Sequence, residues 1–329
     1  MKAISLFSGG LDSCIAIKLI KDQGIDVIAM HIDTGFGSTK DNTAHLQNMC
    51  KQLGAELKII DIKEQFIQEV LFEPKYGYGK HFNPCIDCHA NMFRVAKAMM
   101  EEWGASFLIS GEVLGQRPMS QRGDSMKRVV ELAQTDELLL RPLSAKRFPP
   151  TLPEKEGWVD REKLLSIEGR NREVQMRIAR EIDLQDYESP GGGCLLTDAN
   201  FSNKIREFIL HDKAFQTPDI DIIKYGRHFR LPDGAKLIVG RHQEDNEAIK
   251  RIDNPKFVTL RLPVSGPYSL ISRHASHADK TLASKISITY TKSDPDEKYT
   301  ILIDAKESFE VSPFASKADI APYFFNAKH

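Results

Sequence analysis

Lys2-Ala3-Ile4-Ser5-Leu6-Phe7-Ser8-Gly9-Gly10-Leu11-Asp12-Ser13 is the stretch that decides the fold. Its first half reads as a short buried strand, with Ile4, Leu6 and Phe7 apolar. Its second half turns through Gly9 and Gly10 into Cys14-Ile15-Ala16-Ile17-Lys18-Leu19-Ile20, an amphipathic helix. A strand led through paired glycines onto a helix start makes an anion site. The first N–H groups of the helix have no partner within it, and glycine lets backbone approach a phosphate closely. Ser8 and Ser13 add hydroxyl donors. A carboxylate at Asp12 has no use beside a bare phosphate unless it helps to hold a divalent cation such as Mg²⁺. The plainer alternative is a glycine turn with Asp12 as a helix cap.

Composition narrows the class. The chain has 329 residues and a net charge of −1, enough for two or three domains of an ordinary globular protein. No apolar run approaches the roughly 20 residues that span a bilayer, so no membrane partner is expected. The start runs straight into a strand, which predicts no secretory or transit leader and a cytoplasmic location. Five cysteines, an odd number, argue against a disulfide framework and for thiol or metal chemistry.

Residues 1–145 alternate strand and helix. Strands are expected at Val27–Asp33, Leu57–Ile62, Phe107–Ser110 and Glu137–Arg141. Helices are expected at Thr43–Leu53, Glu64–Leu71 and Met92–Trp103. This alternation predicts an α/β fold with a doubly wound parallel sheet, whose ligands bind beyond the carboxyl ends of the strands. Ser8–Ser13, Asp33-Thr34-Gly35 and Gly111-Glu112 are expected around one crevice. Residues 146–215 read as a helical linker, with helices near Arg161–Ile167 and Arg172–Ile182. The basic face of the second is either solvated or a phosphate contact. Residues 216–329 read as a smaller, mainly β (α+β) domain. Its strands are expected at Ile222–Tyr225, His228–Leu231, Ala235–Val239, Phe257–Leu262, Ile286–Tyr290 and Tyr299–Ile303, with a turn at Pro232-Asp233-Gly234.

The cysteines separate into two groups. Cys14 and Cys50 fall on apolar helix faces and read as small core residues. Cys85 and Cys88, in Asn83-Pro84-Cys85-Ile86-Asp87-Cys88-His89, begin a helix, where the dipole is expected to favour thiolate. Cys194 closes the run Ser189-Pro190-Gly191-Gly192-Gly193, which leaves its thiol approachable. Three uses of Cys85, Cys88 and Cys194 stay open: a zinc site with His89, a redox or persulfide pair, or a three-cysteine iron–sulfur cluster with one iron open.

Ser-Gly-Gly-Leu-Asp-Ser behind a strand resembles the signature of the PP-loop (N-type) ATP pyrophosphatases, whose fold is adenine nucleotide α-hydrolase-like. With a Cys-x-x-Cys and a distant single cysteine, it resembles their tRNA thiolation branch, the 4-thiouridine synthetases and 2-thiouridylases. Ser110-Gly111-Glu112-Val113-Leu114-Gly115-Gln116, Ser120-Gln121 and Leu140-Arg141-Pro142-Leu143, with Lys146 after it, are similar to strings of the 4-thiouridine synthetases. Gly226-Arg227-His228-Phe229-Arg230, Gly234, Ile238-Val239-Gly240-Arg241 and Asn246 resemble the NFACT-type RNA-binding domain. The resemblance implies ATP bound at Ser8, Gly9, Gly10, Asp12, Ser13, Asp33, Gly111 and Gln116. It implies adenylation of a uridine carbonyl oxygen, and sulfur insertion through Cys85, Cys88 and Cys194 as a [4Fe-4S] site or persulfide relay. The partners would be tRNA and a sulfur donor, either sulfide or a cysteine desulfurase or sulfur carrier. Two other readings remain: an amide- or nitrile-forming enzyme on a small molecule with cysteine-bound zinc, and a non-catalytic, ATP-sensing RNA-binding protein.

Overall fold

The computed structural model describes residues 1–37, 41–187 and 193–325. The chain divides into two compact units, Met1–Asp198 and Ala199–His329.

The first unit is built on a five-stranded sheet of order β3-β2-β1-β4-β5. Its strands are β1 (Lys2–Leu6), β2 (Asp26–Asp33), β3 (Glu56–Asp61), β4 (Phe107–Ser110) and β5 (Leu139–Leu140). Every neighbouring pair is parallel. Alternation along the strands sends side chains to opposite faces. Ala3, Val27, Ala29, Phe107 and Ile109 join one core with α1 (Leu11–Lys21), α2 (Thr43–Leu53) and Ala179 of α8 (Glu173–Glu181). Ile4, Met30 and Leu108 join the other with α4 (Cys85–Ala98) and α6 (Gly123–Ala133). The short helices α3 (Lys63–Phe66) and α5 (Met100–Trp103) lie before and after α4 in the chain, and α7 (Leu152–Lys155) and α8 follow α6.

The doubly wound parallel sheet is as the sequence predicts. Three local readings differ. Glu64–Leu71 is α3 followed by a π-helical turn at Ile67–Leu71, and Arg161–Ile167 holds only a 3-10 turn at Arg161–Lys163. The helix α6, with Met126, Val129 and Ala133 burying one of its faces, stands where the sequence reading has no element.

The second unit carries a six-stranded antiparallel sheet of order β11-β10-β8-β9-β7-β6. Its strands are β6 (Arg227–Arg230), β7 (Lys236–Val239), β8 (Phe257–Arg261), β9 (Ser269–Ser272), β10 (Tyr299–Ile303) and β11 (Glu307–Val311). Helices α9 (Ala199–His211), α10 (Thr217–Lys224), α11 (Gln243–Arg251) and α12 (His277–Thr289) accompany it, so the unit is α+β. The turn at Pro232–Gly234 joins β6 to β7, with Gly234 at φ 95°. Ile222–Tyr225 and Ile286–Tyr290, read as strands, belong to the ends of α10 and α12. The reason is capping upstream. Gln216 and Asp219 form a capping box before Ile222, and Ser276 accepts from the Asp279 N–H, so each helix is already running when the β-branched residues arrive. Among the described residues no helix is long and apolar enough to cross a membrane.

At the switch between β1 and β4 the register sets Leu6 beside Ser110, so Gly111 meets the start of α1. A Cβ on Gly111 would stand 2.5 Å from the Ser13 nitrogen and 2.6 Å from the Asp12 carbonyl carbon. Gly111→Ala is therefore expected to lower stability by ~1–3 kcal/mol through overpacking. Gly37→Ala, which meets nothing within 4 Å, should change it by under ~0.5 kcal/mol. Urea unfolding of the two variants reads the difference.

Candidate active site

Three strand ends meet at the carboxyl edge of the parallel sheet. After β1, Gly9 takes a left-handed turn at φ 76°. Its carbonyl lies 3.2 Å from the His45 ring nitrogen Nε2. Ser8 Oγ accepts from the Gly10 N–H at 3.3 Å and lies 3.3 Å from Ser13 Oγ, which donates to the Gly10 carbonyl at 2.8 Å. No side chain caps α1 at Gly10, so its first N–H groups stay available to an anion. After β2, Asp33 accepts from the Gly35 N–H at 2.8 Å and pairs with Lys63 at 2.7 Å.

Asp12 is held from two sides. Gln116 donates to its Oδ2 at 2.7 Å, Gln175 donates to Gln116 Oε1 at 3.1 Å, and the Arg172 guanidinium lies 3.4 Å from Oδ2. Its other oxygen, Oδ1, is buried with no hydrogen-bond partner. An orphaned, buried carboxylate oxygen at a phosphate loop has the chemistry of a cation ligand. Arg172, the N-cap residue of α8, thus turns inward, and α8 packs on α1.

Next along the loop after β4, Glu112 is 6% exposed and ionised. Burial opposes its charge, but Arg141 at 2.8 Å and His89 Nδ1 at 2.9 Å outweigh that and hold its carboxyl down at about 2. His89 follows Cys88 on α4, and Arg141 follows β5. One buried carboxylate therefore ties the thiol helix to two strand ends.

The thiols come together from distant segments. Asp87 accepts from the backbone N–H groups of Lys75 and Tyr76, which folds the preceding loop onto the start of α4. Cys85 donates to Asn83 Oδ1 at 2.9 Å. The Cys194 segment docks through two backbone bonds, from the Leu195 N–H to the Phe36 carbonyl at 2.8 Å and from the Phe82 N–H to the Leu196 carbonyl at 3.3 Å. Residues 188–192, most of the glycine run, lie outside the described residues. Burial pushes the Cys88 thiol well up, with Cys194 and Cys85 adding repulsion, and pushes Cys194 to about 12. Cys85 is also raised by burial, against the Asn83 bond and the Arg117 charge. Burial thus opposes the thiolate that the helix start favours. Among the described residues no three His, Cys, Asp or Glu side chains stand in a metal-holding arrangement. The donor set of three soft thiols nevertheless has the chemistry of an iron–sulfur or zinc site. Cys14 and Cys50 are buried in the core, raised by burial to about 12 and about 11.

The structure thus brings Gly111 and Gln116, from the loop after β4, against the loop that holds Ser8, Gly9, Gly10, Asp12 and Ser13, with Asp33 at the adjoining strand end. Cys85, Cys88 and Cys194 lie within one another's electrostatic reach. Lys146 pairs instead with Glu162. Sequence reasoning missed the roles of His89, Arg141, Arg172 and Gln175. The strings Ser-Gly-Glu and Leu-Arg-Pro-Leu contained the signal for the Glu112–Arg141 pair, but only the β4–β5 register joins them.

Such an edge, a glycine loop on a helix start at the sheet's switch point, defines a nucleotide-binding α/β unit. Residues 1–151 match the tRNA methyl transferase HUP domain, and residues 226–323 the NFACT protein RNA binding domain. A tRNA-specific 2-thiouridylase MnmA of Nitratidesulfovibrio vulgaris (strain DP4) is 30% identical over 136 residues, 40% of this chain and 39% of that protein. A probable tRNA sulfurtransferase of Thermococcus kodakarensis is 30% identical over 145 residues, 43% of this chain and 36% of that protein. A crystal structure of a 4-thiouridine synthetase–RNA complex with bound ATP aligns at 20% identity and a TM-score of 0.38, covering 68% of this chain and 52% of that one. The chain spans about two fifths of the length of the first two relatives. Residues 1–151 are thus similar to PP-loop proteins of the tRNA thiolation branch, and residues 226–323 to the NFACT-type RNA-binding domain.

Removing Glu112 leaves Arg141 buried and unpaired, so Glu112→Ala is expected to cost ~3–5 kcal/mol in urea unfolding. The carboxyl lies at about 2 against an ordinary 4.5, so its stabilisation is complete above pH 4.5 and fades as pH falls toward 2. Glu112→Gln should flatten that acid limb of the stability profile.

Proposed function

We propose that this chain is an ATP-dependent tRNA uridine thiolation enzyme that forms AMP and pyrophosphate. The observation that carries the reading is the continuity of one loop. Gly111 packs on the phosphate loop, Glu112 holds the helix of Cys88 through His89, and Gln116 holds Asp12. Nucleotide chemistry and sulfur chemistry are thereby kept on one rigid edge. The thiouridylase and sulfurtransferase relatives support the same pairing.

ATP lies with its triphosphate on Ser8–Ser13, its charge met by the N–H groups of α1 and by Arg172. Asp33 and its backbone neighbours stand on the adenosine side. The orphaned Asp12 oxygen fits Mg²⁺, which when bound would neutralise phosphate charge; Gln116 and Arg172 keep the carboxylate turned toward that position. The uridine carbonyl oxygen attacks the α phosphorus and pyrophosphate leaves. Nucleophilic sulfur then attacks the activated carbon, the C–O bond breaks, and AMP departs. Reaching a base atom requires an unstacked nucleotide.

Cys85, Cys88 and Cys194 hold the sulfur, as a persulfide on Cys194 or as ligands of a [4Fe-4S] cluster. Such a cluster, if bound, would offer an open iron for hydrosulfide, with zinc the alternative metal. On the persulfide route a cysteine desulfurase relay transfers sulfane sulfur to Cys194. Once that outer sulfur has bonded to the base carbon, Cys85 or Cys88 attacks Cys194 Sγ, the S–S bond breaks, and an external thiol reductant reopens the resulting disulfide. Sulfide, already at the thiol oxidation level, would be the donor only where the three thiols held a metal. The second unit contributes tRNA binding, and the enzyme works in the cytoplasm.

Mass spectrometry of nucleosides from bulk tRNA of a strain lacking the gene should show the loss of one thiolated uridine; an unchanged profile would overturn the reading. In vitro, Asp12→Ala should lower tRNA-dependent pyrophosphate release by at least ~100-fold, on the scale of lost electrostatic stabilisation of developing charge. Cys194→Ser should keep pyrophosphate release and lose sulfur transfer.

A further inference from the structure

The second unit carries a concave aromatic patch that nothing above uses. A cavity of about 250 Å³ is lined by Tyr290, Lys317, Ile320, Ala321 and Phe324. The Arg227 guanidinium carbon stands 4.7 Å from the centre of the Tyr290 ring, and Lys317 Nζ stands 5.5 Å from it. Phe324 is 37% exposed, a large apolar surface left to water. It is not a loose tail. Phe324 bridges Phe229 of β6 in antiparallel fashion, and the Phe325 N–H donates to the His228 carbonyl at 3.0 Å. The Phe324 ring also seats edge-on against the buried Phe229 ring, with centroids 5.2 Å apart.

We propose that this cavity stacks one unpaired nucleobase of RNA, with Lys317 and Arg227 taking the adjoining phosphates. The proposal rests on the RNA reading of this unit given above and adds the site and the strandedness. A fixed, exposed aromatic face beside two cations suits a base and its phosphate together, because every base has a π-face and every phosphate a charge. No lining side chain is acidic, so the charge complementarity favours a polyanion. Five residues line it, a small surface that suits a single ring system. A base inside a duplex has both faces covered and cannot enter, so the target is a loop, bulge or end.

The test is fluorescence anisotropy of the full chain with a short labelled single-stranded RNA and with a blunt duplex of the same composition. Phe324→Leu keeps an apolar side chain but removes the ring. It should weaken single-strand binding roughly five- to hundredfold and leave duplex binding unchanged. Lys317→Gln, at an exposed position where folding is not at stake, should reduce the slope of log affinity against log salt by about 0.7, one phosphate contact. Single-strand affinity unchanged in Phe324→Leu, or lost equally for duplex, would overturn the pocket alone. An unchanged salt slope in Lys317→Gln would overturn the phosphate contact. No binding of either RNA by the wild-type chain would overturn the RNA reading with it.

Discussion

The close approach of Gly111 to the first turn of α1 is the constraint on which the site depends. Two backbones meet there with no room for a Cβ, at the switch point where β1 and β4 lie side by side. Because that contact is backbone on backbone, it cannot relax by changing a rotamer. It sets the distance between the phosphate loop and everything mounted on the β4 loop: Glu112, Gln116 and, through them, His89, Arg141 and Asp12.

Electrostatics around this frame divides into a satisfied half and an unsatisfied half. Glu112 is fully paired, so its charge is fixed well below neutral pH and serves as an anchor. The three thiols are the reverse. Burial raises all three, so an occupant that takes a thiolate there must bring compensating positive charge. Asp12 lies between these cases, one oxygen bonded and the other buried without a partner.

Much of the first unit was legible because its signals are local. Thr43–Leu53 and Phe107–Ser110 were readable to the residue from apolar spacing, and the Gly9-Gly10 loop from its place between strand and helix. The second unit was harder. Ile286-Ser287-Ile288-Thr289 has the composition of a strand, yet the cap at Ser276 starts a helix ten residues upstream, and burial of Ile286 and Ile288 sustains it. Short β-branched runs hold no decisive period, so the cap decides.

The sequence by itself determined the glycine turn between strand and helix, the alternation that yields a parallel sheet, and the placing of Cys14 and Cys50 in the core. Each is written in adjacent or regularly spaced residues. Only the tertiary structure decided that Gln116 and Arg172 grip Asp12, that Glu112 joins His89 to Arg141, and that Cys194 docks beside Cys85 and Cys88. Those contacts join residues far apart in the chain, and strand register, helix packing and loop docking choose their partners. It also decided how far burial raises the thiols, because desolvation is a property of what surrounds a group in space, not of its neighbours in sequence.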